Sequence, residues 1–251
     1  MSKGLSLNLK KIFVIATKDI KTYYGKPPSL FYGVVLPFAL FGAFLAGRPC
    51  VTEDYRVVGV TVLSTFFGGT TIAAVILPLE RRSGTIDRLI LAPVSFKTLL
   101  LGKSLAGFTF SFPITLLVLS IILPFTGFWN LNPLLLVVSI ALSVVFSCAF
   151  GLAFSASAND VADVMWPMNF VRFIMIFFSG VFMPIDEIYL FMPSLKFIAY
   201  LLPLTYSVDA VYQSIVGVND VMMLIVDFTV LIAITIGLYY LAYRRFLKTL
   251  T

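Results

Sequence analysis

The side chains of this chain that could do chemistry are few, and their surroundings are unusual. There is no histidine, which removes imidazole metal sites, Ser-His and Cys-His nucleophile pairs and histidine proton relays. Cys50 falls just outside an apolar run and Cys148 deep inside another, so the two are expected at different depths and no disulfide is expected. No acidic residues cluster at metal-binding spacing, which argues against an integral membrane enzyme. What remains is charge in odd places. Arg172 and Asp227 stand inside apolar runs, where an ionisable side chain is a functional candidate by default. Residues 79–95 read Leu-Glu-Arg-Arg-Ser-Gly-Thr-Ile-Asp-Arg-Leu-Ile-Leu-Ala-Pro-Val-Ser, a charged island between two long apolar stretches. Such groups can bind, pass or push; they are not an acid–base set.

The elements that must position them are membrane spans. Apolar residues make up 60% of the chain and charged residues 12%, and the mean hydropathy is +1.02. Soluble domains run nearer half apolar and about a quarter charged, so the excess marks a membrane protein. Several apolar stretches reach about 20 residues, enough to cross a core of roughly 30 Å. The fold class expected is an all-α integral membrane protein with six transmembrane helices, at about 29–47, 57–78, 97–123, 134–156, 165–183 and 221–243. The second is expected to end at Pro78 and the third at Pro124. Residues 1–28 form an N-terminal interfacial segment, 29–243 a single transmembrane domain, and 244–251 a short tail. The first 28 residues carry six lysines and no apolar run of signal-peptide length, so no cleaved targeting peptide is expected. Within them Leu9, Ile12, Phe13, Ala16 and Ile20 recur at helical spacing among lysines, which predicts a basic amphipathic helix lying in the membrane interface and ended by Pro27-Pro28.

Positive charges set the topology. With six spans, six basic residues before the first span, five from Arg81 to Lys103 and three after the sixth (Arg244, Arg245, Lys248) share one side, and only Arg48, Arg56 and Lys196 face the other. The positive-inside rule then puts both termini and the island in the cytoplasm. Residues 188–204 are apolar enough to invite a seventh span, but Pro193, Lys196 and Pro203 interrupt them, and a seventh span would carry the basic C-terminus outside. Residues 185–213 therefore read as one or two half-inserted outer helices broken at prolines, tolerated only when packed on protein or lining a cavity. The loop around Asn159, Asp160 and Asp163 should be cytoplasmic yet has no basic residue. Arg172 and Asp227 each lie roughly 10 Å from opposite surfaces, so they differ in depth by about 10 Å in a core of about 30 Å, which argues against a direct pair. The long side chain of Arg172 can also snorkel to the cytoplasmic surface.

In the island, Ser83-Gly84 breaks the second span. Ile86, Leu89, Ile90 and Pro93 then fall on one side of a short helix and Asp87 and Arg88 on the other, with Thr85 available to cap its start. A short helix across the ends of two spans can seat in a groove on another subunit, whose motion would move the spans. Elsewhere, Gly68-Gly69 and the Ser143, Ser147, Gly151 face suit close helix packing. Phe66 and Phe67, with Phe170, Phe173, Phe177 and Phe178, suit lipid or packing contacts better than a passage.

The stretch Leu79–Ser95 resembles the first coupling helix of ABC-2 type transporter permeases, the membrane subunits of a class of ATP-binding cassette exporters. A second block, Phe178-Ser-Gly-Val-Phe-Met-Pro-Ile-Asp186 with Ile198-Ala-Tyr-Leu-Leu-Pro-Leu-Thr-Tyr-Ser-Val-Asp-Ala210, is similar to the family's outer re-entrant segment. The blocks come in the family's order within its six-span topology. Tyr212 departs from it, near where many members carry arginine. The resemblance implies that Gly84, Thr85, Ile86, Asp87, Arg88, Leu89, Ile90 and Pro93 contact an ATPase subunit. It also implies that Glu80 matches the acidic residue ending span two and pairs with a basic group near the N-terminal helix or on the ATPase. Pro184, Asp186, Pro203, Tyr206 and Asp209 would shape the outer segment. Arg172 and Asp227 stay candidates for an intramembrane pathway.

The partners implied are a nucleotide-binding ABC ATPase, a second permease copy in a homodimer or close pair, and membrane lipid; no nucleic acid is expected. No Gly-x-x-x-x-Gly-Lys-[Ser/Thr] loop occurs, so the chain is not expected to be an enzyme by itself or to bind a cofactor, and ATP and Mg belong to the partner. The expected function is ATP-driven export of an amphipathic drug-like molecule or lipid across the cytoplasmic membrane, and the Leu-Ala-Pro-Val-Ser wording leans toward the drug-resistance branch. The alternatives are export of a lipid-linked glycan or polysaccharide and, further off, an ion-coupled secondary transporter, whose internal repeats are not visible here.

Overall fold

The computed structural model describes residues 2–23, 31, 35–47, 52–92, 94–125, 131–190, 193, 196–217 and 220–248. Pro27-Pro28, Cys50, Pro93, most of the turn after Pro124 and the beginning of the first expected span lie outside them. The described residues are mostly helical and contain no strand. In chain order the helices are α1 (Ser2–Tyr23), α2 (Leu36–Gly47), α3 (Glu53–Arg82), α4 (Thr85–Leu91), α5 (Phe96–Ile122), α6 (Pro133–Ser155), α7 (Val161–Phe178), α8 (Ile185–Ile188), α9 (Lys196–Leu201), α10 (Pro203–Val216) and α11 (Val221–Lys248). Five of them, α3, α5, α6, α7 and α11, are long and apolar enough to cross a membrane. The chain is an all-α multi-pass membrane protein.

Helix α3 is the axis of the bundle. Its residues from Val57 to Ala74 are buried without interruption, because α5 and α6 pack along it and α2, α7 and α10 add contacts at its flanks. Small residues permit that approach. A Cβ on Gly68 would meet Ser111 Oγ at 2.7 Å, one on Gly69 would meet Ser147 Cβ at 2.8 Å, and one on Gly151 would collide with the Thr70 carbonyl oxygen. These are the small-residue faces expected to pack. Phe66 stacks with Phe146 and tilts against Phe150, so it is core and not a passage wall. Phe170, Phe173, Phe177 and Phe178 on α7 point away from the protein.

Three boundaries differ from expectation. Pro78 lies inside α3, which continues to Arg82. A proline removes one i→i−4 bond and crowds the preceding turn, but here the turn beyond it is held by side-chain bonds of Glu80 and Arg81 to other elements. Helix α11 runs on to Lys248, so most of the expected tail is its last turn, with Arg245 donating to the Ala153 carbonyl at 3.0 Å. Asp163 is not in a loop: Asp160 and Asp163 form a capping box at the start of α7. That accounts for two acids there, since carboxylates favour a helix N-terminus.

The α1 stripe is rolled relative to its apolar spacing. Ile15, Ala16 and Asp19 are buried against α5, whereas Leu9, Phe13 and Val14 face outward. The close crossing needs Gly102 of α5, where a Cβ would lie 2.9 Å from Ile15. The segment after α7 folds back: Gly180, just beyond α7, and Met223 near the start of α11 line one cavity, so the chain returns to the end of the bundle it reached. Between them α8, α9 and α10 are short, and Pro203 opens α10 at its first turn.

Candidate functional site

One face of the bundle gathers the island and its surroundings. At the end of α3 the backbone reverses through Ser83 and Gly84; Gly84 has φ +64°, a left-handed conformation that favours glycine. Gly84 therefore occupies the N-cap position of α4. Thr85 is not the cap expected: it is the first helical residue, and its Oγ1 donates to the Glu80 carbonyl at 3.3 Å and pairs with Ser83 Oγ at 3.0 Å. Ile86 is buried and Leu89 packs half-buried on the core, so these two seat the helix. Arg88 is exposed, and Leu91 is 86% exposed. The side chains of Asp87 and Ile90, like Pro93, lie outside the described part.

Behind α4 sits a four-charge cluster. Glu80 on α3 is buried and ion-pairs with Lys18 of α1 and with Lys103 of α5. Lys103 also lies 3.4 Å from Asp19, and Lys18 lies 3.2 Å from the same carboxylate. Two cations and two anions thus join α1, α3 and α5. Glu80, Lys103 and Asp19 are fully buried, whereas the Lys18 side chain is 40% exposed. Burial lowers the Lys18 pKa, but its bonds to Glu80 and Asp19 outweigh this and leave it above the ordinary lysine value. Burial pushes the Asp19 carboxyl up, against the pull of Lys103. Sequence reasoning singled out Glu80 but missed Asp19 and Lys103. The signal for Asp19 was present: it is the only acid among the first 52 residues, one turn from Ile15 and Ala16.

Arg81 and Arg82 reach the loop that lacks basic residues of its own. Arg81 donates to the carbonyls of Ala158 at 2.5 Å and Ala156 at 2.6 Å, and Arg82 lies 3.8 Å from Asp160. Arg81 also lies over the ring of Phe246, which tilts against Phe96. The ends of α3, α6 and α11 and the starts of α5 and α7 therefore share this basic face.

Arg172 is fully buried and does not snorkel. It donates to Asn169 Oδ1 at 3.0 Å and to Thr70 and Thr71 of α3, and its guanidinium lies 4.6 Å from the centroid of Phe67. Asp227 belongs to a different environment on the opposite face. Gln213 Nε2 donates to Asp209 at 2.9 Å and approaches Asp227 at 3.5 Å. Both carboxylates line a cavity of about 480 Å³, together with Asp186, Pro184, Tyr206 and Tyr212. Asp186 pairs with Lys196, Tyr206 donates to the Tyr200 carbonyl at 2.7 Å, and Pro203 turns the chain into α10. Of the expected outer-segment residues, Pro184, Asp186, Tyr206 and Asp209 thus line one pocket with Asp227, and Pro203 does not. No group of three or more acidic or cysteine ligands suited to a metal occurs among the described residues.

Residues 10–216 match the family model described as ABC-2 type transporter. Comparison with curated proteins gives no significant match.

Proposed function

This chain belongs to the ABC-2 type transporter family, as a membrane permease subunit of an ABC transporter, and from that premise we propose that it exports an amphipathic molecule, drug-like or lipid, across the cytoplasmic membrane. The family implies an ABC ATPase partner; here that partner is a separate polypeptide holding ATP and Mg, and two permease copies form the pathway. Both termini and α4 lie in the cytoplasm, a reading supported by the arginines and lysines gathered at that face and by the positive-inside rule. A lipid-linked glycan is the alternative cargo.

The observation that carries the reading is the seating of α4. A seven-residue helix has little stability of its own, yet this one is pinned by Ile86, by Thr85 bonded to the end of α3, and by the cluster behind Glu80. It offers Arg88 and Leu91 outward. An exposed arginine of this kind suits a protein groove, and the leucine beside it adds apolar surface to bury there. A push on α4 is received by Ile86 and Leu89 and passed to α3, and through Glu80 to α1 and α5.

The test is substrate-stimulated ATP hydrolysis by the reconstituted complex. Leu91→Asp and Arg88→Glu are expected to lower it at least tenfold while the permease keeps its thermal stability; Leu89→Asp is expected to lower both. Unchanged stimulation in Leu91→Asp would overturn the docking role of α4. ATP turnover by the purified permease alone would overturn the assignment of energy to a separate subunit.

A further inference from the structure

We propose that the cavity on the face opposite α4 is a binding site for a lipophilic organic cation. The cavity lies between the start of α3, the segment after α7, and helices α9, α10 and α11, and its volume of about 480 Å³ falls in the range of ordinary ligand sites, about 300–1,000 Å³.

Charge gives the sign of the ligand. The described lining holds Asp186, Asp209, Asp227 and a single cation, Lys196, which Asp186 already pairs. Asp209 and Asp227 share the amide of Gln213. Asp227 is 4% exposed. Beside two carboxylates that share one amide donor, a bound cation is favoured over a neutral or anionic ligand.

Aromatic surface gives the ligand's character. Tyr55, Tyr200, Tyr206 and Tyr212 line the same cavity, and the rings of Tyr55 and Tyr212 lie 5.1 Å apart. Tyrosine faces attract cations that are weakly hydrated. One cation already lies near a ring of this wall: Lys196 Nζ is 5.9 Å from the Tyr200 centroid. Met223, Val208 and Val226 supply apolar wall for the rest of the molecule.

A further, independent feature points to an occupant. Ser179 lines the cavity and is fully buried, and its Oγ has no hydrogen-bond partner among the described residues. A buried hydroxyl left unpaired is costly, and a ligand or its retained water satisfies it. As a station for transported cargo the site rests on the export reading; as a binding site it stands on these residues.

The probe is tetraphenylphosphonium, with tetraphenylborate as a control of equal shape and opposite charge, measured by equilibrium dialysis on the purified permease in lipid nanodiscs with no ATPase present. Expected are saturable binding of the cation above the empty-nanodisc background and none of the anion. Asp209→Asn with Asp227→Asn is expected to weaken binding at least tenfold. Lys196→Gln, at a partly exposed pair where folding is not at stake, frees Asp186 and is expected to tighten binding severalfold; it decides the matter should the double variant fail to fold. Binding no greater than to empty nanodiscs, equal binding of the anion, or affinities in the folded variants within twofold of the parent overturns the proposal. Because no ATP is involved, loss of export with cation binding retained would count against the export reading and leave the site standing.

Discussion

The four-charge cluster behind α4 makes a quantitative demand. Lys18 and Lys103 both pair with Glu80, and a formal charge count treats them alike. Burial does not: Lys103 is fully buried and Lys18 is 40% exposed. In Lys18→Met, water replaces much of the lost charge, and the cost should be that of a surface pair, about 1 kcal/mol or less. In Lys103→Met, Glu80 and Asp19 remain as two buried carboxylates with only Lys18 between them, and breaking a buried pair in this way costs about 3–5 kcal/mol. Methionine nearly conserves the side-chain volume, so packing loss should not obscure the comparison. At about 2–4 °C per kcal/mol for a chain of this size, the transition of the detergent-solubilised permease should fall by about 6–20 °C in Lys103→Met and by about 4 °C at most in Lys18→Met. Adding Glu80→Gln to Lys103→Met removes the surplus negative charge and should recover part of the loss, with a coupling of about 0.5–3 kcal/mol. Equal shifts in the two lysine variants, or no recovery in the double variant, would refute the argument that burial makes Lys103 the indispensable counter-charge.

Two other predictions use the same thermal assay. Gly151→Ala drives a methyl into the Thr70 carbonyl and should cost about 1–3 kcal/mol, whereas Gly237→Ala, with nothing within 4 Å of its new Cβ, should be neutral or stabilising by up to about 1 kcal/mol through helix propensity; the reverse order would refute the close α3–α6 crossing. Arg172→Lys cannot reach Asn169 and Thr70 together with one ammonium and should lose a charge-assisted bond, about 1.5–3 kcal/mol; an unchanged transition would mean that Arg172 is not the fixed tie between α7 and α3.

The legible and illegible parts of this fold divide by the range of the forces involved. Apolar run length marks the spans because lipid thickness is a one-dimensional constraint, and α5, α6 and α7 start within a few residues of their expected positions. The breaks in 185–213 were also legible, since prolines and a lysine act locally, and that stretch is divided among α8, α9 and α10. Pro78 misled because whether a proline ends a helix depends on what holds the turn beyond it, and Glu80 is held by residues 62 and 23 positions away. The roll of α1 was hidden for the same reason: Asp19 turns inward only because Lys103, 84 positions on, waits there. On α4, spacing grouped Ile86 and Leu89 on one apolar side expected to meet the ATPase, but that side is turned onto the protein's own core, and spacing passed over Leu91, whose meaning lies in its exposure. Asp227 stood out as a charge within a span; that it lies beside Asp209 in the wall of a tyrosine-lined cavity depends on how the segment from 185 to 216 folds back.

The two sites are joined by one element. Helix α3 has 30 residues and is about 45 Å long at 1.5 Å per residue, which exceeds a hydrocarbon core of about 30 Å. Near its start Tyr55 lines the cavity, and at its end Glu80 and Arg81 hold the base of α4. Between them nearly every side chain is buried, and a close-packed element shifts as a body more readily than it bends. The exception is the turn at Pro78, where a backbone hydrogen bond is missing. On the proposed coupling role of α4, a force entering below that turn has two routes: through Pro78 along α3, or through Glu80 into Lys103 and so along α5. The charge cluster bypasses the weak point. Transmission to the cavity should therefore depend on the Glu80–Lys103 pair more than on the continuity of α3 itself, which gives the burial of that pair a mechanical reason as well as an electrostatic one.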